Sequence, residues 1–308
     1  MRYLDIKREF APHHVAEVTQ LLEAAERADG HRPLSDHLWL DLAQGGRHGF
    51  VGLVAWEPGH PHPVAYAQVS QGNDSYAIEL VVDPHHRYEM ATIGPEMIEA
   101  ALGEVAVEGG GHIHWWVFEP TAAHDAVARA VGLSPGRRLH QMRVALPLDQ
   151  PFELSTRPFE PGADEEAWLT VNNRAFLWHP EQGDWTRDTI VARQTEAWFD
   201  PSGFLLHERD GRLGGFCWTK VHPDHDPVLG EIYVIAVDPD FHGLGLGRAL
   251  TLAGLDHLAR PTATRPGVGV GMLYVDADNT AAVGLYQSIG FGIHRTDRAY
   301  VGDIAAHD

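Results

Sequence analysis

The 308-residue chain carries 23 Lys and Arg against 43 Asp and Glu, a formal charge of −20, which weighs against nucleic acid or an anionic membrane as partner because both are held mainly by Lys and Arg. Its 44% hydrophobic and 21% charged residues exclude a disordered or fibrous chain. A single cysteine, Cys217, leaves no intramolecular disulfide and points to a reducing, cytoplasmic compartment.

Met1-Arg2-Tyr3-Leu4-Asp5-Ile6-Lys7-Arg8-Glu9 is charged where a signal peptide needs an apolar stretch. The longest apolar run, 267–275, falls far short of the roughly 20 residues of a membrane helix. A soluble, monomeric protein of about two domains is expected. The 21 histidines include His13-His14, His60-Pro61-His62, His85-His86, His112-Ile113-His114 and His222-Pro223-Asp224-His225. None has the helical spacing with a flanking carboxylate, or the cysteine partners, of a strong metal motif. No metal is expected.

The first half is matched by the second at a long offset. Arg8-Glu9-Phe10-Ala11-Pro12 answers to Arg157-Pro158-Phe159-Glu160-Pro161, and Gly49-Phe50-Val51 to Gly203-Phe204-Leu205. Val82-Asp83-Pro84 answers to Val237-Asp238-Pro239, and Val131-Gly132-Leu133 to Ile289-Gly290-Phe291. Matches in one order, with small drifts in offset, indicate a duplicated domain. The joint falls near Leu146-Pro147-Leu148-Asp149-Gln150-Pro151-Phe152, where prolines break periodicity. The expected domains are residues 1–150 and 151–308.

In the second copy 163–176 predicts a helix, and 203–207 and 213–221 predict strands around the turn Arg209-Asp210-Gly211-Arg212. Residues 231–237 form a β-branched, aromatic strand. Leu246 to Ala259 has the apolar spacing of an amphipathic helix. A buried strand, 272–275, and a helix, 280–289, follow, with Gly290 as C-cap. This mixture predicts a layered α/β or α+β domain.

Between strand and helix lies His242-Gly243-Leu244-Gly245-Leu246-Gly247-Arg248. Its glycines admit a ligand close to the backbone, and a helix start presents free N–H groups to an anion such as phosphate. The spacing fits neither a dinucleotide-binding G-x-G-x-x-G nor a Walker loop, since Arg248 and Ala249 follow Gly247.

Val237-Asp238-Pro239-x-x-His242-x-x-Gly245-x-Gly247, then Asn279 and Tyr286-Gln287-Ser288-Ile289-Gly290-Phe291, resembles the GNAT superfamily of N-acetyltransferases, in which this loop binds the acetyl-CoA pyrophosphate. His242 replaces the usual Gln or Arg. The likeness extends through Asn172-Asn173-Arg174-Ala175-Phe176, His179-Pro180-Glu181-Gln182-Gly183, Trp218-Thr219-Lys220-Val221-His222-Pro223, 230–239 and Leu273-Tyr274-Val275-Asp276-Ala277-Asp278-Asn279. These stretches are similar to a branch built of two tandem GNAT domains, each a mixed sheet flanked by helices. That branch acetylates the cysteinyl amine of a cysteinyl glucosaminyl-inositol, the last step of mycothiol biosynthesis.

The resemblance implies acetyl-CoA on Ile235, Ala236 and Val237, on His242, Gly243, Leu244, Gly245, Leu246, Gly247 and Arg248, and on Asn279, Thr280, Ala281, Ala282, Val283 and Gly284. It implies acceptor contacts at Asp36, Glu181, Lys220, Glu231 and Tyr274. An α-amino group has a reference pKa of about 7.7–8, so a carboxylate, direct or through water, suffices as base. Glu231 is the expected base. Strand alternation would turn Glu231, Tyr233, Ile235 and Val237 to one face. The resemblance assigns Tyr286 as the acid that protonates the leaving thiolate.

At the repeat offsets the first copy has Tyr76 for Glu231 and Ala128 for Tyr286, and His85-His86-Arg87-Tyr88-Glu89 lacks the glycine triplet. A second acetyl-CoA position, at Leu80, Val81 and Val82 and along 88–93, is implied by the resemblance, but one active site is expected. The loop alone leaves two other readings open. One is an acetyltransferase of another small amine or a protein N-terminus; the other is a non-catalytic CoA-binding sensor.

Overall fold

The computed structural model describes residues 2–72, 75–177, 182–262 and 265–307. In chain order the first stretch forms β1 (Tyr3–Lys7), α1 (Pro12–Asp29), α2 (Asp36–Ala43), β2 (Phe50–Trp56), β3 (Ala65–Gln71), β4 (Ser75–Val82), α3 (Met90–Val107), β5 (Gly111–Val117), α4 (Ala122–Ala130) and β6 (Ser134–Ala145). There follow β7 (Arg157–Pro158), α5 (Glu165–Ala175), α6 (Arg187–Gln194), β8 (Phe204–Arg209), β9 (Arg212–His222), β10 (Leu229–Val237), α7 (Leu246–Ala259), β11 (Val270–Asp276), α8 (Thr280–Ile289) and β12 (Gly292–Ile304). The chain is a mixed α/β protein, and the helices expected over 246–259 and 280–289 have those bounds. Among the described residues no helix is long and apolar enough to cross a membrane.

Two compact units emerge: residues 1–139 with 295–308, and residues 140–294. Contact thus divides the chain differently from the sequence repeat. The C-terminal strand is responsible for one half of that difference, because β12 pairs antiparallel with β5 from Arg298↔Val117 to Ile304↔Gly111 and places Tyr300 in the first unit's core. For the other half, Met142 and Val144 at the end of β6 join the core of the second unit.

In the first unit β1, β2, β3 and β4 form antiparallel neighbours, and β4 runs parallel to β5 across the α3 crossover. In the second, β7, β8, β9 and β10 are antiparallel, and β10 runs parallel to β11 across α7. One face of the second sheet packs on α7 and α8, with Leu250, Leu255, Leu258, Leu273, Val275 and Tyr286 buried there. The other packs on α5 and α6 through Trp168, Ile190, Phe204, Phe216 and Trp218. α7 lies directly on β9, since a methyl group on Gly254 would overlap the Cys217 sulfur.

A bulge interrupts β10. Against β9 its register runs Glu231↔Lys220, Ile232↔Thr219, then Val234↔Trp218 and Ile235↔Cys217, so Tyr233 is the extra residue. An inserted residue reverses the alternation of everything beyond it. Ile232, Ile235 and Val237 therefore belong to the α7 side, whereas Tyr233, Val234 and Ala236 belong to the α5 side. The expectation that Glu231, Tyr233, Ile235 and Val237 share a face is corrected: Glu231, like its cross-strand neighbour Lys220, stands with Tyr233 on the side opposite Ile235 and Val237.

The same bulge corrects the internal alignment. In the parallel registers Tyr76↔Ile113 and Ala77↔His114 of the first unit answer to Gly230↔Gly271 and Glu231↔Met272 of the second. Ala77, not Tyr76, stands where the second copy has Glu231. Either residue leaves that position without a carboxylate.

Candidate active site

Glu231 is buried, 7% exposed, and its Oε2 accepts a 2.7 Å hydrogen bond from His222 Nε2. His222 ends β9 opposite Leu229, two residues from Lys220, which faces Glu231. Side chains two apart on a strand share a face, so Lys220 and His222 flank the carboxylate. The Lys220 ammonium lies 4.9 Å from the Trp198 ring centre and 5.7 Å from that of Tyr233, within cation–π range. On the other side Glu231 pairs with Met272, and Tyr274, two residues on, faces the same way. Tyr274 is 39% exposed, and its hydroxyl accepts from Gln141 Nε2 at 2.7 Å. Gln141 Oε1 in turn accepts from Arg143 Nε at 2.9 Å.

His222, Glu231, Lys220, Tyr274, Gln141 and Arg143 thus line one polar face of the second unit. Lys220, Glu231 and Tyr274 are brought together on it. The sequence reading gave no role to His222, Gln141 or Arg143. For His222 the signal was present: it lies on the same strand as Lys220 at even spacing. Gln141 and Arg143 had no local signal, because only the pairing of β6 beside β11 brings them to Tyr274. Asp36 opens α2 in the first unit, and Glu181 lies outside the described residues.

Tyr286 is on the opposite side. It is 7% exposed, in the core with Ile232, Leu273 and Val275, and its ring meets Phe291 edge-on at 5.8 Å. Burial, aided by the neighbouring Cys217, pushes its phenol well above the ordinary value, because desolvation disfavours the phenolate. Between the two faces the sheet opens. The parallel register of β10 and β11 stops at Ile232↔Leu273, while β10 continues beside β9 to Val237↔Gly215. The β11-facing backbone edge of Ile235, Ala236 and Val237 lies beyond that last pair.

At the end of β10 the Asp238 carboxylate accepts from Asp240 N at 3.0 Å, closing a tight turn over Pro239–Phe241. His242 Nε2 donates to the Val237 carbonyl at 3.1 Å, tying loop to strand. Gly243 and Gly245 have φ of +79° and +77°, a left-handed conformation that glycine adopts without strain. A Cβ on either would meet nothing within 4 Å. Gly245 caps α7, and the N–H groups of Leu246, Gly247 and Arg248 have no acceptor within the helix. This open cradle fits a pyrophosphate. The Arg248 guanidinium is otherwise engaged, donating to Ser288 Oγ at 2.9 Å and Gln150 Oε1 at 2.6 Å. Asn279 caps α8, its Oδ1 accepting from Ala282 N at 3.1 Å, which sets the helix carrying Thr280, Ala281, Ala282, Val283 and Gly284 at the end of β11.

In the first unit, Leu80, Val81 and Val82 pair with β3 and face core clusters. The chain then makes a 3-10 turn over Pro84–Glu89. Arg87 there makes a two-pronged contact with Asp29, both bonds 2.7 Å. Ala128, opposite Tyr286 in the repeat, is buried.

The family model "Acetyltransferase (GNAT) family" matches residues 165–291. A mycothiol acetyltransferase of Acidimicrobium ferrooxidans is 42% identical over 91% of this chain and 91% of its own length. One from Thermobispora bispora is 44% identical over 92% and 94%. Among solved structures, a GCN5-related N-acetyltransferase from Sphaerobacter thermophilus superposes with a TM-score of 0.71 at 21% identity, over 99% of this chain and 97% of the other. The fold and glycine loop define an acetyltransferase of the GNAT class. Within that class the chain belongs to the mycothiol acetyltransferase family.

Proposed function

We propose that the chain transfers an acetyl group from acetyl-CoA to the cysteinyl amine of 1D-myo-inositol 2-(L-cysteinylamino)-2-deoxy-glucopyranoside, completing mycothiol. The observation that carries this reading is the pair of opposed sides around the end of the β10–β11 register, a buried carboxylate on one and a buried phenol on the other. Acetyl-CoA would supply the acetyl thioester, its pyrophosphate held by the backbone from Gly243 to Arg248 and its arm along Ile235, Ala236 and Val237. Glu231, oriented by His222, takes a proton from the attacking amine, directly or through water. Tyr286, kept protonated by burial, gives one to the departing thiolate. A backbone N–H at the free edge of β10 polarises the thioester oxygen.

Lys220, Tyr274, Glu231 and, from sequence resemblance, Glu181 give a polar set suited to a cationic, hydroxyl-rich acceptor. We assign catalysis to the copy of residues 151–308. The copy of residues 1–150 is degenerate, with no carboxylate at Ala77, no phenol at Ala128 and no glycine loop. The enzyme is read as a cytoplasmic monomer that binds neither nucleic acid nor membrane.

Incubation with acetyl-CoA and the cysteinyl glucosaminyl-inositol should release free CoA in step with loss of the amine. No release above background from folded protein would sink the reading. Release with a simple amine but not with this acceptor would keep the enzyme class and remove the substrate.

A further inference from the structure

In the second unit Asp210 and Gly211 alone join β8 to β9, whereas in the first unit residues 57–64 join β2 to β3. The longer connection carries His60 and His62. His60 Nδ1 lies 2.8 Å from the His62 carbonyl and His62 Nδ1 3.0 Å from that of Pro63. A carbonyl only accepts, so each ring holds a proton on Nδ1, and in the neutral tautomer each Nε2 keeps a lone pair.

His60 and His62 converge on Asp83: one ligand atom from each of the three residues lies within 4.8 Å of the others. His62 Nε2 stands 3.6 Å from Asp83 Oδ2, beyond hydrogen-bond length. Asp83 is 1% exposed, and its other oxygen is committed, accepting from His85 N at 2.8 Å and His86 Nδ1 at 3.1 Å. His86 is held in turn by Glu57, 3.2 Å from its Nε2. With both of those bonds donated to it, this carboxylate sits in a nearly closed corner. Two imidazoles and a carboxylate oxygen gathered this closely form a site in which a cation is strongly favoured.

The second copy shows what can fill such a corner. Val82-Asp83-Pro84 answers to Val237-Asp238-Pro239, and there the carboxylate of Asp238 has the Arg174 guanidinium 3.4 Å away. The first copy surrounds its aspartate with imidazoles instead.

We propose that His60, His62 and Asp83 bind one divalent transition-metal ion, zinc by donor chemistry, which fastens the β2–β3 connection to the end of β4. Two imidazole nitrogens and a carboxylate oxygen are a common zinc set, leaving a fourth position for water. Bonds of about 2.0–2.2 Å place tetrahedral ligands roughly 3.3–3.5 Å apart, so the site closes by about an ångström of side-chain movement in a connecting segment. The Nδ1 bonds to carbonyls and the His86 bond to Asp83 are the outer contacts that orient metal ligands. His-x-His on a loop lacks the helical or cysteine spacing that marks a metal site in sequence, and Asp83 arrives only through the fold. This is why no metal was expected from sequence.

The test uses the full chain, stripped with chelator and titrated with Co2+ and then Zn2+. One equivalent of Co2+ should give visible d–d bands of tetrahedral type, displaced by Zn2+, and Zn2+ should raise the melting temperature. The His60→Ala/His62→Ala variant, and His62→Gln as a milder change, should lose the bands and the thermal shift and bind Zn2+ at least about tenfold more weakly. Both should keep the turnover of the parent. His112→Ala/His114→Ala, another His-x-His pair, should bind like the parent. Parent protein that binds no equivalent overturns the proposal. So does unchanged binding in the His60/His62 variants, or equal loss in the His112/His114 variant, which would mean adventitious surface binding only.

Discussion

His222 Nε2 lies 2.7 Å from Glu231 Oε2, and this bond joins the end of β9 to a carboxylate on the strand beside it. The imidazole fixes where the carboxylate points, and a base must lie within hydrogen-bond reach of its proton. Glu231→Gln should lower kcat by about 10²–10⁴-fold while acetyl-CoA affinity, measured by calorimetry, stays at the parent value. His222→Ala should cost roughly tenfold or more in kcat/KM, and His222→Gln, whose amide can still donate, should cost less. In the double variant the losses should not add, because His222 acts through Glu231. Full additivity would separate the two residues.

Tyr286 is a phenol held in an apolar core with its ring against Phe291. Its raised pKa keeps it protonated across neutral and mildly alkaline pH, as an acid must be. Tyr286→Phe should therefore lower kcat by roughly 10- to 10²-fold and change the melting temperature little, since the ring and its packing remain. The alkaline limb of the parent's rate profile should not come from this group below about pH 10. Parent-like turnover in Tyr286→Phe would leave it a packing residue.

The elements around the loop were legible because their signals are local. Glycines at 243 and 245 mark left-handed turns, Gly290 marks a helix end, and apolar spacing marks α7. The single extra residue at Tyr233 was not legible, since only the cross-strand partners Thr219 and Trp218 reveal a bulge. That one residue displaced the predicted face of Ile235 and the predicted counterpart of Glu231. Residues drawn together across distant strands, such as Gln141 with Tyr274 or His60 with Asp83, were hidden for the same reason: their proximity is a property of the sheet, not of spacing along the chain.

Gly245 tests the cradle. Its φ of +77° costs an L-residue about 1–2 kcal/mol, and any Cβ there projects into the open space before α7. Gly245→Ala should lower stability by about that amount and, in addition, raise the KM for acetyl-CoA. Gly162→Ala, also at positive φ with nothing within 4 Å but in the turn before α5, should show the stability loss without the KM change. Equal KM values in the two variants would place acetyl-CoA elsewhere.

Glu79 in the first unit carries the chain's clearest pH signature. It is 2% exposed on β4 and accepts from Ser35 N at 2.8 Å. Burial raises its carboxyl to about 7 despite the Ser35 backbone and side-chain bonds that oppose it, with Asp297 adding a smaller upward push. Because the folded value lies above the unfolded 4.5, the folded state keeps a proton that the unfolded chain gives up. The stabilising contribution is therefore whole below about pH 4.5 and is lost as pH rises to about 7, a fall of roughly 3 kcal/mol at most. Glu79→Gln keeps the shape and an oxygen acceptor for Ser35 but cannot ionise. Relative to the parent it should melt higher at pH 8, and the advantage should shrink steadily toward pH 5. Thermal denaturation across that range decides the matter: a difference that does not change with pH would mean that Glu79 is not the group titrating.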